Sequence, residues 1–423
     1  MDWQRNGLLA GMLVVTLLLF NQWLDFSEQR EPALVEQQLL VPGQTTSPQS
    51  LSIAPSSQLT TGSDLPVVDS MPAMQELTDP SNARLVNVES KLYSAVIDTH
   101  GGDIVQIQLK KHMNKPASKG GQPFTLLTRT ENNTYIAKSG LVGRNATDTR
   151  EGRPQFIVAR DSVDVTSGVE QLDLVTRQQG VVLTKRFTFS PDSYQIGVEY
   201  LIENLTQAPW SAVFYGQINR DSHKPLVNAT GVQPYLGAAL RTAEKNYRKL
   251  SFGDMSDEKL EESIQGGWVA MLQHYFIGAW VPDQNATNHF SLRKVAGQDL
   301  YVMGYTSDPI EVAAGQSGSY KTSFYAGPKD QDSLAELAEY LDLTIDYGFL
   351  WMLAKPIFAA MKYIHSVVGN WGWSIILLTI GIKILLYPLS AASLRSMAKM
   401  RSLQPKMERL KETYGDDRQK IGR

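Results

Sequence analysis

Thr379, Lys383 and Tyr387 follow one another at four-residue steps inside the apolar stretch NWGWSIILLTIGIKILLYPLS, residues 370–390, and Ser390 lies seven residues past Lys383. On a helix these four share one face, with drift of about 40° per step. The stretch holds no paired nucleophile and base and no metal-ligand spacing. What a cation among hydroxyls can do is electrostatic: attract carboxylates and hold water. A charge inside a membrane span is costly and faces a cavity, a partner charge or the interface. Lys383 stands about 18 Å along the helix from Trp371, past the middle of a hydrocarbon core of about 30 Å. Snorkelling to the near interface is one reading. An ion pair within a helix bundle is another. The polar stripe favours a third, a hydrated cavity reaching partway into the membrane. Ser374 does not belong to it, because nine residues of helix place it roughly 180° from Lys383.

A second group of cations follows: Arg395, Lys399, Arg401, Lys406 and Arg409. Leu394, Met397, Met400, Leu403, Met407 and Leu410 recur among them every three or four residues, as in one arm of a helical hairpin or coiled coil. Residues 390–423 hold nine Lys and Arg against four acids, although the chain carries a net charge of −3. An acidic bulk and a basic end flanking an apolar run follow the positive-inside rule, with the basic end in the cytoplasm. These cations alternate with acids and apolar knobs, as on a solvated helical face, so specific nucleic-acid binding is not expected.

Other chemistry is not signalled. Cysteine is absent, which excludes disulfides and thiolate metal sites. The six histidines form no H-E-x-x-H pattern, and there is neither a Walker A sequence nor G-x-G-x-x-G. No cofactor, metal or enzymatic activity is expected.

The surrounding elements are read from periodicity. GLLAGMLVVTLLLFNQWL, residues 7–24, is long enough to span. Arg5 precedes it and no small-x-small cleavage site follows, so residues 1–26 read as an uncleaved signal anchor with a cytoplasmic N-terminus. Residues 27–82 are rich in Ser, Gln, Thr and Pro and read as a flexible tether. From there the period changes to two. Val105, Ile107 and Leu109 alternate with polar residues after a Gly101-Gly102 turn, and residues 180–204 read as two strands around Pro191-Asp192. Residues 83–328 are thus expected to form a large all-β sandwich. A connecting helix over 329–347 is expected, with Ser333 and Glu336 at capping-box spacing. Over 348–370, Leu350, Leu353, Ile357, Met361, Ile364 and Val368 make one apolar stripe, with Trp351 and Tyr363 suited to a membrane interface. The competing reading is a helix packed on the sandwich. A second span over 371–389 and a charged helical arm over 390–423 complete the reading.

DLTIDYGFLWMLAKPIF, the run from His365 to Met407 and GGWVAMLQHYFIGAWVP at 266–282 together resemble the Gram-negative form of the YidC/Oxa/Alb family. The resemblance implies a multi-domain membrane protein: an N-terminal transmembrane signal anchor, an all-β periplasmic supersandwich similar to sugar-mutarotase folds, an interfacial amphipathic helix, a second transmembrane helix and the start of a cytoplasmic helical hairpin. It implies insertion and folding of inner-membrane proteins, alone or with the Sec translocon and its accessory proteins, through a hydrophilic groove holding a positive charge. Lys383 occupies that position, with Thr379, Tyr387 and Ser390 beside it. Where the family commonly carries Arg, Lys keeps the charge but loses the planar fork. The hairpin cations would meet substrate and ribosome, so nascent membrane proteins, the ribosome and the lipid bilayer are the implied partners. The family's second hairpin arm and later spans are missing from the sequence, which reads as a fragment or a truncated gene product. The alternative function is a membrane-anchored periplasmic carbohydrate-binding β-sandwich.

Overall fold

The computed structural model describes residues 66, 84–149, 152–223, 235–348 and 350–414. The expected anchor, all of the expected tether except Pro66, and the side chains of Lys406 and Arg409 lie outside the described residues. The chain forms two compact units, one spanning Ser50–Ile345 and the other containing Asp346–Arg423.

The first unit is built of strands. They begin with β1 (Leu85–Glu89), β2 (Tyr93–Asp98), β3 (Asp103–Met113), β4 (Pro123–Thr130), β5 (Asn133–Val142), β6 (Ile157–Val158) and β7 (Ser162–Asp164). Next come β8 (Glu170–Gln178), β9 (Val181–Phe189), β10 (Gln195–Asn204), β11 (Trp210–Arg220), β12 (Gly237–Leu240) and β13 (Arg248–Leu250). After a short helix α1 (Phe252–Asp257) follow β14 (Leu260–Gln265), β15 (Val269–Leu272), β16 (Phe276–Val281), β17 (Thr287–Lys294), β18 (Tyr301–Val312) and β19 (Ser317–Pro328). Ten strands form one sheet in the order β14-β17-β18-β11-β5-β4-β3-β2-β1-β7, and nine form the other, β13-β12-β15-β16-β19-β10-β9-β8-β6.

Alternation explains the layering. In β9, Leu183, Phe187 and Phe189 point inward, and in β10 Ile196, Val198, Tyr200 and Ile202 do. The two strands pair antiparallel around Pro191-Asp192, as the period of two predicts. Side chains from both sheets meet in one core that includes Phe214, Trp280, Phe290 and Tyr305. Each large apolar side chain fully buried there contributes about 1.5–3 kcal/mol. One register shift departs from simple alternation. Val96 faces Gln106 but Ile97 faces Ile104, so Val105 is skipped and Ile104 takes its place in the main core. A bulge of this kind bends the strand and re-aims its side chains.

A second, smaller cluster lies on the other face of the nine-stranded sheet. There Trp268, Ala270 and Ile277 pack against Leu334 and Leu341. Leu334 belongs to α2 (Gln331–Leu337). The cap of α2 is Asp330, whose carboxylate accepts from Ser333 N at 3.0 Å and from Ser333 Oγ at 2.7 Å. The helix therefore starts earlier than the Ser333–Glu336 spacing suggests, because Asp330 takes the cap and its negative charge also suits the helix N-terminus.

The second unit holds α3 (Trp351–Val368) and α4 (Trp371–Tyr414). Gly369, at φ +70°, ends α3 by donating its N–H to His365 O at 2.8 Å. Asn370 opens α4 at once: its Oδ1 accepts from Gly372 N at 2.8 Å and Trp373 N at 3.3 Å. The His365 ring stacks on Trp371 with centroids 3.8 Å apart. Two residues thus turn one helix into the next. α4 has 44 residues and passes through Pro388 and Pro405 without a break. Each proline removes one backbone bond, leaving the carbonyls of Ile384 and Arg401 without their usual donors.

Candidate functional site

Trp371–Arg401 is long and apolar enough to cross a membrane, and its apolar window is not packed inside the fold. Thr379, Lys383, Tyr387 and Ser390 all lie open on its surface. The Thr379 hydroxyl donates back to Ile375 O at 2.7 Å. Lys383 makes no ion pair or hydrogen bond among the described residues. Ser374 belongs to another side of the helix: it is fully buried and donates to Asn370 O at 2.8 Å. Arg395, Lys399 and Arg401 continue along the same helix, exposed. The structure places the stripe and these cations on one rod, and it surrounds the stripe with exposed Ile380, Ile384, Leu385 and Leu386. On α3 no residue is buried, and Leu350, Leu353, Ile357 and Val368 of its apolar stripe stand exposed.

The sandwich contains a charged centre that the sequence reading missed. Arg153 donates through Nη1 to Asp103 at 2.5 Å and through Nε to Asp148 at 2.8 Å. Its Nη2 bonds to Gly101 O at 3.1 Å and Ser139 O at 2.9 Å. Lys185 reaches across from the nine-stranded sheet and donates to the same two carbonyls, at 3.1 and 2.9 Å. The Tyr215 hydroxyl donates to Asp148 at 2.7 Å. All these charged groups are buried. Burial pushes the Lys185 ammonium down to about 7, against the pull of Asp103. Burial pushes Asp103 up, but Arg153, Lys138 and Lys185 together hold it below the usual carboxylate range. Arg153 is held well above its usual value, because Asp103, Tyr215 and Asp148 outweigh its burial. The signal was available: in VVLTKRFTF, Lys185 has the same parity as the inward Leu183, Phe187 and Phe189. This centre ties one sheet to the other. Arg153 also borders a cleft of about 550 Å³ shared with Arg144, Arg177, Gln155 and Trp210.

One histidine has neighbours that resemble a relay. His289 Nδ1 lies 2.8 Å from Ser263 Oγ, and its Nε2 lies 3.0 Å from Asp308 Oδ1. These residues sit on β14, β17 and β18, which are adjacent strands. The side chains of His289 and Asp308 are 43% and 64% exposed. The three side chains thus form a solvent-facing hydrogen-bonded ladder across three strands.

Comparison with known proteins covers both units. The YidC periplasmic domain family matches residues 85–360, and the 60Kd inner membrane protein family matches residues 363–423. A protein of Cellvibrio japonicus named Membrane protein insertase YidC is 48% identical over 425 residues, covering 100% of this chain and 75% of the relative. Its namesake from Saccharophagus degradans is 44% identical over 428 residues, covering 100% of this chain and 76% of that one. Among solved structures, a galactose mutarotase related enzyme from Lactobacillus acidophilus aligns with 9% identity and a TM-score of 0.37, covering 57% of this chain and 97% of its own. A similarity of that size supports no inference about ligand or activity. Two family matches in tandem and identity near one half along the whole chain lead to one assignment: this chain belongs to the YidC family.

Proposed function

We propose that this chain is a membrane protein insertase of the inner membrane, acting on nascent membrane proteins through a hydrated groove lined by Thr379, Lys383, Tyr387 and Ser390. The observation that carries the groove is Lys383, a cation open on the surface of a helix apolar enough to cross a membrane. An unpaired backbone group in hydrocarbon costs several kcal/mol. A wet groove reaching partway in shortens the apolar path of a translocated tail. Lys383 attracts acidic residues of that tail, and its single point charge lacks the two-toothed grip of a guanidinium. The apolar part of the substrate then leaves sideways into lipid, at about 25 cal/mol per Å² buried. The membrane potential adds about 2.3 kcal/mol per charge per 100 mV. No nucleotide and no bond-making step by the chain enter this scheme.

The topology that serves it has a cytoplasmic N-terminus and an anchor over 1–26, then a tether over 27–82 and a periplasmic supersandwich over 83–328. A connecting segment over 329–347, of which only Gln331–Leu337 is α-helical rather than the whole stretch as expected, leads to an interfacial helix over 348–370. A span over 371–389 follows, and a cytoplasmic hairpin arm starts at 390. Arg395, Lys399, Arg401, Lys406 and Arg409 meet the ribosome and incoming substrate. The Sec translocon works beside the chain for some substrates and is bypassed by others. The test compares Lys383→Arg, Lys383→Ala and Lys383→Glu, using a substrate with an acidic translocated tail. Insertion should hold with Arg, fall with Ala and fall furthest with Glu. Equal insertion by all of them would remove the electrostatic role.

A further inference from the structure

The outer face of the ten-stranded sheet carries a cleft of about 310 Å³ across β14, β17 and β18. In the ladder, Gln217 stands opposite Gly304 and Asn219 opposite Val302, while Arg293 flanks Val302 from β17. The alternate residues Ile218, Met303 and Leu292 belong to the main core. Gln217, Asn219 and Val302 therefore point away from that core. On a sheet face turned to water, such residues stay open. Here they are 3%, 2% and 5% exposed, as buried as the core itself. The part of this face around Gln217, Asn219 and Val302 is covered, while His289 further along it stays open. Pro66 lines the same cleft and is half-buried there. It precedes Arg84, where the described chain resumes, by eighteen positions.

We propose that this cleft is the docking site for the chain's own tether, and that the occupant is the segment Asp64-Leu65-Pro66-Val67-Val68-Asp69. The chemistry of the two surfaces agrees. Leu65 to Val68 are apolar and suit the patch around Val302, and Pro66 fixes one dihedral and lowers the entropy lost on docking. Asp64 and Asp69 flank that apolar centre; the cleft lining holds Lys259, paired with Glu261, and Glu262 along its β14 side and Arg293 on β17, so Arg293 is the cation that faces an incoming carboxylate. Reach is not limiting, since the seventeen residues between Pro66 and Arg84 span at most about 60 Å. A tethered segment also meets its site at an effective concentration in the millimolar range, so modest affinity suffices. Docking moves the point at which the tether leaves the sandwich from Arg84 to Pro66. It thereby shortens the chain available between anchor and sandwich. The proposal stands independently of the insertase reading.

Because the chain has no cysteine, disulfide trapping in this chain in membrane vesicles gives a clean test. Ser63→Cys is combined with Ser291→Cys in the cleft, or with Gln171→Cys on an exposed position of the other sheet. Under mild oxidation the cleft pair should close within one molecule at least roughly tenfold faster than the control pair, as a docked rather than free tether requires. Adding Pro66→Gly or Arg293→Glu should slow the cleft pair, and Arg293→Lys should leave it fast. Equal rates for the two pairs, or crosslinks only between molecules, would overturn the docking. A fast cleft pair indifferent to both Pro66→Gly and Arg293→Glu would overturn the assignment of the occupant.

Discussion

Lys185 and Arg153 donate to the same two carbonyl oxygens, those of Gly101 and Ser139, Lys185 from β9 and Arg153 from the segment between β5 and β6. The two cations are not equivalent. Of the two, only Arg153 also pairs directly with Asp103 and Asp148. Removing Lys185 leaves both carbonyls bonded, whereas removing Arg153 takes the paired guanidinium from two buried carboxylates and leaves Asp148 only hydroxyl donors.

The first prediction follows from that asymmetry. Arg153→Met should destabilise the sandwich by about 3–5 kcal/mol, the cost of breaking a buried ion pair. Lys185→Met should cost no more than about 1 kcal/mol near neutral pH, since no acceptor is left bare. Urea unfolding followed by the fluorescence of buried Trp268 and Trp280 measures both. Equal losses would show that the two cations share the load.

The pH dependence has a definite sign. In the fold Lys185 binds its proton only below about 7, against an ordinary value of 10.5. The unfolded chain therefore holds a proton that the fold has released, and stability rises with pH between those values. The penalty is fully present below the folded value. The facing groups do not cancel this, because Asp103 is held low, Arg153 high, and burial keeps Tyr200 and Tyr215 neutral. The urea midpoint should climb between about pH 7 and about pH 9, with a slope of at most about 1.4 kcal/mol per unit. Lys185→Met should flatten it.

A groove makes water contact follow one face of α4. Single cysteines at Thr379, Lys383 and Ser390 should react with a charged maleimide in intact membranes. Cysteines at Leu377 and Leu385 should react roughly tenfold more slowly, as lipid-facing sites do. Uniformly slow labelling would leave the stripe dry and the groove without support.

The elbow between α3 and α4 rests on one amide side chain. Asn370→Ala removes the acceptor for Gly372 N and Trp373 N, and should cost about 1 kcal/mol of helix stability, with Asn370→Asp or Asn370→Ser retaining most of it. Hydrogen exchange at the first turn of α4 reads the loss directly.

These features differ in how far the sequence disclosed them. The stripe on α4 was legible because its residues lie within twelve positions, where helical period alone sets the face. Strands β3, β9 and β10 were legible through their alternation, although the bulge that skips Val105 depends on the partner strand and left no local mark. The change of composition between 389 and 390 was legible, but no break in the helix marks it, since α4 continues through it. The Arg153–Lys185 centre was not found, because Asp103 and Arg153 meet across fifty positions that only the sheet topology brings together. Its one local sign was a lysine of inward parity in β9. The covering of Gln217, Asn219 and Val302 was equally hidden, since alternation assigns those residues to an outer face.

The uninterrupted course of α4 has a mechanical meaning. Lys383 and Arg395 are twelve positions apart on one rod, about 18 Å along its axis and about 120° around it. A torque applied at the basic end by any bound assembly arrives at Lys383 as a change of azimuth. Contact with a large partner at one end can therefore steer which way the charge points at the other.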